Sequence, residues 1–412
     1  MISINRRTVP STFILPKRKR FLTEKVPSVA SQTPAGRPER METGFCERCM
    51  LSHGRRNSRG PGLKKGRAMA RKSATGRIGI ADVAVKAGVS HATVSRVMND
   101  NFTVDPDIAA RVRAAAVELK YQPNPVGRSL ALGKTDTIGI VVPDLANPTF
   151  QAILRGLSRA AAEDGYRVLI ADSFEVSSEE AILAGEARRR CDGLVLCAPR
   201  MSDAELEEIA PSLHPLVLIN RTTAAAGVPS LVVDYGQGVQ DLAEHLVGLG
   251  HTRLAFLAGP TGSASNGLRL EGLEAFKARH ADVDVTMFDG GSDFDTGHGA
   301  VDAVLDSGAT GILAFNDLVA MGLMSGLHEH GVNVPVDISV TGFDDIPFAR
   351  YTTPTLTTAA VPIAELGGHA WRELRALIRK EDHDAPVTRY QPRLEIRASS
   401  GPAKAPRTAA HG

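Results

Sequence analysis

From Thr137 onward the chain alternates short apolar runs with amphipathic stretches of about 12–18 residues, and this alternation restricts the fold more than any other feature. The strand-like runs include Thr137–Val142, Arg167–Ala171, Gly193–Cys197, Pro215–Ile219, Ser230–Asp234, Arg253–Ala258, Gly311–Phe315 and Ile338–Phe343. Helical stretches fall between them, for example Asn147–Asp164, Gly238–Leu249, Leu268–Arg279, Leu318–His330 and Pro362–Lys380. Regular strand–helix alternation implies parallel sheets covered by helices on both faces. About 260 residues of this pattern is long for one sheet, so an α/β core of two doubly wound subdomains is expected over 135–398. A small-molecule site then belongs in the cleft between them, at the carboxyl ends of strands.

Ahead of this core the periodicity is purely helical. Ile80, Val83, Ala84 and Ala87 share one face of a short helix that Gly88 stops, and Ser90 occupies an N-cap position before a second helix running to Asn99. Val94, Val97 and Met98 turn inward there, which leaves His91, Ala92, Ser95, Arg96 and Asn99 pointing outward. Asp105-Pro106 opens a third helix with an inner stripe of Ile108, Val112, Ala116 and Leu119. Three short helices with a glycine turn between the first two make a helix-turn-helix over 77–123, and the second helix of such a unit reads the major groove.

The net charge of +2 conceals an asymmetry. Residues 1–76 hold 18 Lys and Arg against 4 Asp and Glu, whereas the remaining 336 hold 30 against 42. An acidic body thus carries a basic front end, suited to a polyanion. Residues 1–76, rich in Arg, Lys, Ser, Pro and Gly, read as a disordered basic extension. Met69 opens a short basic arm leading into the first helix, which raises the expectation that translation begins there. Of the four cysteines, Cys46 and Cys49 with His53 supply only three zinc ligands where a structural site wants four, so no metal is expected. The cysteine count is too low for a disulfide framework and fits a reducing cytoplasm; neither a long apolar span nor a secretory signal is visible.

The stretches Ile80-Ala81-Asp82-Val83-Ala84, Ala87-Gly88-Val89-Ser90, Thr93-Val94-Ser95-Arg96-Val97 and Tyr121-Gln122-Pro123-Asn124 resemble the DNA-binding region of the lactose-repressor (LacI/GalR) family. The likeness continues through Asn147-Pro148-Thr149-Phe150, Asp192-Gly193-Leu194, Leu249-Gly250-His251, Leu257-Ala258-Gly259-Pro260, Asn316-Asp317 and the run Ser339 to Asp345, covering about residues 77–398. It implies a cytoplasmic, dimeric, effector-controlled transcription regulator. The implied architecture is a helix-turn-helix headpiece, a hinge helix over 124–134, and a core of the type I periplasmic-binding-protein kind. That core divides into one subdomain of about 135–233 with 362–388 and another of about 234–361 with 389–398, followed by a flexible tail at 399–412. Without apolar heptads the tail offers no tetramerising coiled coil, so a homodimer is expected.

On the DNA side the resemblance assigns Ser90, His91, Ala92, Thr93, Ser95, Arg96, Asn99, Asn124 and Leu130. Arg96 suits a two-pronged contact to guanine, worth about 1–3 kcal/mol of discrimination, and Ala92 an apolar contact. Thr93, Ser95 and Asn99 suit phosphates. Leu130 stands where the family's hinge pushes an apolar wedge into the minor groove, although Gly127 nearby costs about 1 kcal/mol of helix propensity relative to alanine. For the effector the assigned positions are Phe150, Asn220, Ser265, Arg269, Asn316 and Asp344, a donor and acceptor set suited to a polyhydroxylated ligand and hence a sugar or sugar derivative. Ser292 falls where sugar-responsive members carry a stacking aromatic, with Phe294 two positions on as a candidate substitute. Trp371, in a late helix, reads as packing.

An enzyme is disfavoured, with no catalytic residue and no cofactor expected. Gly133-Lys134-Thr135 lacks the earlier glycine of a P-loop, and His328-Glu329-His330 puts its histidines about 200° apart on a helix, too far round to share a zinc ion. A sugar-transport receptor would share the core but has no use for the headpiece. A regulator controlled by a corepressor or a protein partner is the alternative within the same class.

Overall fold

The structure, a computed structural model, describes residues 78–99, 103–122, 133–381 and 384–404. The headpiece comprises α1 (Ile80–Ala87), α2 (His91–Met98) and α3 (Pro106–Glu118). Gly88 ends α1 in the left-handed region at φ 65°, which only glycine adopts without a Cβ penalty. Ser90 then caps α2, its hydroxyl accepting from the Thr93 amide at 3.1 Å. Asp105 caps α3, accepting from the amides of Asp107 and Ile108. Val83, Val94, Val97 and Val112 form the shared core, with Ala109 and Ala115 packed beside the expected Ala116, while Ile108 and Leu119 stay half-buried. Lys86 and Glu118 tie α1 to α3 at the surface.

The core holds two six-stranded sheets. In the first, β1 (Thr137–Val142), β2 (Arg167–Asp172), β3 (Gly193–Cys197), β4 (Leu216–Ile219) and β5 (Ser230–Val233) run in the order β2-β1-β3-β4-β5, closed by β11 (Val387–Tyr390). All of its pairings are parallel. The second repeats the plan with β6 (Arg253–Leu257), β7 (Asp284–Phe288), β8 (Gly311–Ala314), β9 (Ser339–Asp344) and β10 (Thr357–Ala360), in the order β7-β6-β8-β9-β10, with β12 (Arg393–Glu395) antiparallel at the edge. Helices α4 (Pro148–Glu163), α5 (Ser177–Arg188), α6 (Asp203–Leu213) and α12 (Ile363–Arg379) serve the first sheet. The helices α7 (Tyr235–Gly248), α8 (Ala264–Arg279), α9 (Phe294–Gly299), α10 (Val301–Ser307) and α11 (Asp317–Glu329) serve the second.

The chain passes from the first sheet to the second at Asp234–Tyr235, returns at Val361–Ile363, and leaves again after β11. The last passage lies at residues 391–392 rather than 388–389, because Arg389 and Tyr390 pair with Val232 and Val233. The expected flexible tail also starts too early. Ser399 is fully buried, and its hydroxyl donates to the Val340 carbonyl at 2.6 Å while the Val340 amide donates to the Ser399 carbonyl at 2.9 Å. The Ala403 amide donates to Leu249 O at 2.8 Å, so residues 399–404 lie fixed along the second sheet.

One packing contact positions the site. Helices α4 and α12 approach through Gly156 and Gly367, where a Cβ on either would overlap a backbone carbonyl of the other helix. That closeness seats the N-terminal turn of α4 beyond the carboxyl end of β1, where the cleft lies. No helix among the described residues is long and apolar enough to cross a membrane.

Candidate functional site

The carboxyl ends of both sheets' strands meet around a partly open cavity. The first sheet contributes Ala198 beyond β3, Asn220 beyond β4, Glu175 beyond β2, and Asn147, Thr149 and Phe150 from the start of α4. The second layer adds Tyr235 from the crossover helix, Ser265 and Arg269 from α8, Ser292 from the loop after β7, Phe315 and Asn316 after β8, and Asp344 at the end of β9. All six effector positions expected from sequence, Phe150, Asn220, Ser265, Arg269, Asn316 and Asp344, therefore line one cavity although 194 residues separate the first from the last.

Backbone strain concentrates at the same place. Glu175, Ala198, Asn220 and Asp344 have φ of 60°, 47°, 55° and 108°, a region that L-residues occupy at a cost of about 1–3 kcal/mol each. Such conformations persist only where surrounding contacts fix them. Asp317, wholly buried at the start of α11, supplies one such contact: its carboxylate accepts from the Thr358 hydroxyl at 2.6 Å and from the Ile346 amide at 2.8 Å. It thereby fastens the turn that follows Asp344. Burial and the nearby Asp344 hold the Asp317 carboxyl well above the usual carboxylate range.

Arg269 is 1% exposed, and its guanidinium lies 4.2, 4.5 and 4.1 Å from the ring centroids of Tyr235, Phe315 and Phe343. Rings on a cation replace part of its lost hydration, each worth about 0.5–2 kcal/mol. Burial pulls its pKa down to about 10, with Tyr235 and Asp344 opposing, so it stays cationic at neutral pH. The fork is partly spent, because Nη1 donates to the Ser265 carbonyl at 3.0 Å, while the buried Nε has no partner among the described residues.

Asp344 is raised by burial to about 6, the attraction of Arg269 and a hydrogen bond from Thr149 holding it from rising further. Asn220, 7% exposed, keeps its Oδ1 buried and without a partner among the described residues. Asn316 has less to offer than its type suggested: Oδ1 caps α11 by accepting from the Val319 amide, and Nδ2 donates to the Ser292 carbonyl. Ser265 shares a 3.0 Å hydroxyl contact with the cap residue Ser263. Phe150 belongs at once to the hydrophobic core and to the cavity wall.

Two expectations about neighbouring aromatics resolve differently. Phe294 is half exposed at the start of α9 and is not part of the cavity wall, so it does not substitute for a ring at Ser292. Trp371 is buried against Tyr166 with its indole N–H donating to Asp164 at 2.8 Å, a packing role as expected. Sequence reasoning missed Tyr235, Phe315, Thr149 and the ion pair of Arg200 with Glu175, whose two hydrogen bonds measure 2.6 and 2.9 Å. Their signal was position: each follows a strand's carboxyl end or opens the next helix.

In the headpiece, His91, Ala92 and Arg96 are exposed on α2, with their side chains directed away from the core that Val94 and Val97 enter. Ser90 and Thr93 bond each other at 2.9 Å, and Ser95 meets the Asn99 amide at 3.5 Å. Asn124 and Leu130, with the rest of the expected hinge at 124–132, lie outside the described residues, as do residues 1–77 with Cys46, Cys49 and His53.

Comparison with known proteins agrees with both halves. Residues 79–124 match the model for bacterial regulatory proteins of the lacI family, and residues 243–400 the model for a periplasmic binding protein-like domain. Catabolite control protein A of Priestia megaterium is 30% identical over 329 residues, covering 78% of this chain and 98% of that protein. The HTH-type transcriptional regulator GalS of Salmonella typhimurium is 34% identical over 294 residues, covering 70% of this chain and 86% of its own length. Among solved structures, the lac repressor dimer bound to operator and the anti-inducer ONPF superposes with a TM-score of 0.71 at 27% identity, over 79% of this chain and 99% of that one. With a helix-turn-helix of matching spacing, a two-sheet core and relatives that are transcription regulators rather than enzymes, the chain belongs to the LacI family of DNA-binding transcription regulators.

Proposed function

We propose that the chain is a cytoplasmic repressor that binds a palindromic operator as a homodimer and is controlled by a small molecule, a sugar or sugar derivative, in the cavity between its two sheets. The observation that carries the ligand reading is the pair of orphaned groups on the cavity wall. Among the described residues, Asn220 Oδ1 and Arg269 Nε are buried polar atoms without partners. Leaving each so costs about 1–3 kcal/mol, which a ligand bringing a donor to the first and an acceptor to the second offsets. With Asp344 as acceptor, the wall suits hydroxyl groups, and Phe150 supplies apolar contact.

Coupling requires the ligand to favour one relation of the two sheets over another, typically by about 1–3 kcal/mol. His91, Ala92 and Arg96 read base edges, Ser90, Thr93, Ser95, Asn99 and Asn124 hold the backbone, and Leu130 wedges the minor groove. Dimerisation accords with the apolar edge of the first sheet, where Ile170 on β2 and Phe174 just beyond it stand exposed.

Thermal unfolding of the full chain against monosaccharides, disaccharides, sugar phosphates, nucleosides and purine bases tests the ligand reading. A ligand at about 100 times its Kd adds roughly 2.7 kcal/mol. The expected result is a stabilising compound whose effect Arg269→Ala abolishes. A panel with no effect would favour control by a protein partner.

A further inference from the structure

One hydrogen bond spans the cavity. The Thr149 hydroxyl donates to Asp344 Oδ2 at 2.8 Å, joining the first turn of α4 to the last residue of β9, and both residues are buried. Thr149 is held for this contact from its own side: its amide donates to the side chain of the cap residue Asn147 at 2.9 Å, which fixes the turn. Asp344 is held from the other side by the turn that Asp317 fastens. The donor and acceptor are thus presented from two separate sheets by supports that do not involve each other.

An ionised carboxylate only accepts, and each oxygen binds a small number of donors. The Thr149 hydroxyl occupies Oδ2 in the way that a hydroxyl of a bound polyol would. We propose that Thr149 is an internal latch, standing in for ligand on Asp344 and holding α4 to β9 in the ligand-free protein, so that a ligand taking both oxygens of Asp344 must first displace it. The competition with ligand rests on the small-molecule reading above; the latch itself does not.

Hydrogen exchange of the full chain without any added compound tests the latch, comparing the wild type with Thr149→Val and Thr149→Ser. Valine keeps the branched shape and removes the donor, whereas serine keeps the hydroxyl. Exchange of the amides in segments 147–153 and 344–348 is expected to rise at least about fivefold in T149V and to stay at the wild-type rate in T149S. Equal rates in wild type and T149V would overturn the latch, as would equally fast exchange in both variants, since that would trace the effect to packing. If the T149V contrast appears while no compound of the panel stabilises the protein, the latch stands and the small-molecule reading falls. A stabilising compound without the contrast would remove the latch and leave the small-molecule reading in place.

Discussion

Replacing Asp344 by asparagine removes a charge from the cavity wall while keeping a carbonyl oxygen for Thr149. The structure sets the size of the effect. Asp344 moves from its ordinary 3.8 to about 6 on folding, because burial outweighs the attraction of Arg269 and the bond from Thr149. At a pH well above 6, holding the ionised form therefore costs the folded state roughly 3 kcal/mol relative to a neutral side chain. The other ionisable groups facing it are Arg269 from α8, Tyr235 from α7 and Asp317 from α11. A carboxyl raised on folding costs nothing below its unfolded pKa, and the cost grows as pH climbs from about 4 through 6. Asp344→Asn should then be more stable than wild type by about 3 kcal/mol at pH 8, a rise in Tm of roughly 6 °C, with the gap shrinking below about 1 kcal/mol at pH 4. Thermal unfolding of both proteins in parallel across pH 4–8 cancels the titrating groups that do not face residue 344. A variant no more stable than wild type at pH 8, or a gap that does not narrow on acidification, would refute the account of Asp344 as a charge held at a cost. The same variant should lose the stabilisation given by any compound that binds the cavity.

Arg269→Lys keeps a positive charge but loses the planar group that lies on three rings and bonds Ser265, so unfolding measurements should show a loss of about 1–3 kcal/mol rather than a neutral exchange. Cys191 and Cys197 are buried and their thiols are pushed up by that burial, to about 11 and about 12. In native protein at pH 8 neither should react with a maleimide over the time in which both react in urea, and rapid native labelling would contradict the packing of β3. Leu130→Ala should weaken binding to duplex DNA selected by the wild type at least tenfold and leave cavity binding unchanged; equal DNA affinity would remove the wedge.

How far the site was legible depends on what kind of signal each residue sends. The buried strands of the first sheet, from Ile138 to Val233, are continuous apolar runs, and these read plainly. The missed strands are of another kind. β10 is Thr357-Thr358-Ala359-Ala360, buried through the hydroxyls of Thr357 and Thr358, which bond Arg397 O and Asp317 respectively. A strand whose interior contacts are polar leaves no apolar run to find. β7, β11 and β12 are edge strands, half exposed and short, where the hydrophobic signal is weakest.

The cavity shows the same division with a functional consequence. Asn220, Asn316 and Asp344 come to notice through the family resemblance, since a polar residue at the end of an apolar strand is by itself only a common turn residue, and the sequence does not show which of their atoms are already spent. Asn316 has given its carbonyl to a helix cap and one amide hydrogen to Ser292, whereas Asn220, of the same type, keeps its buried oxygen open. Arg269 is charged in any reading, but what tolerates that charge is a box of Tyr235, Phe315 and Phe343 drawn from three separate elements. Asp344 rises despite a cation so near because its burial outweighs the attraction of Arg269, and one of its oxygens accepts from Thr149. A cation flanked by rings and a carboxylate bonded by one hydroxyl give the second sheet's side of the cavity both donor and acceptor capacity, which is the capacity a polyhydroxylated ligand can fill.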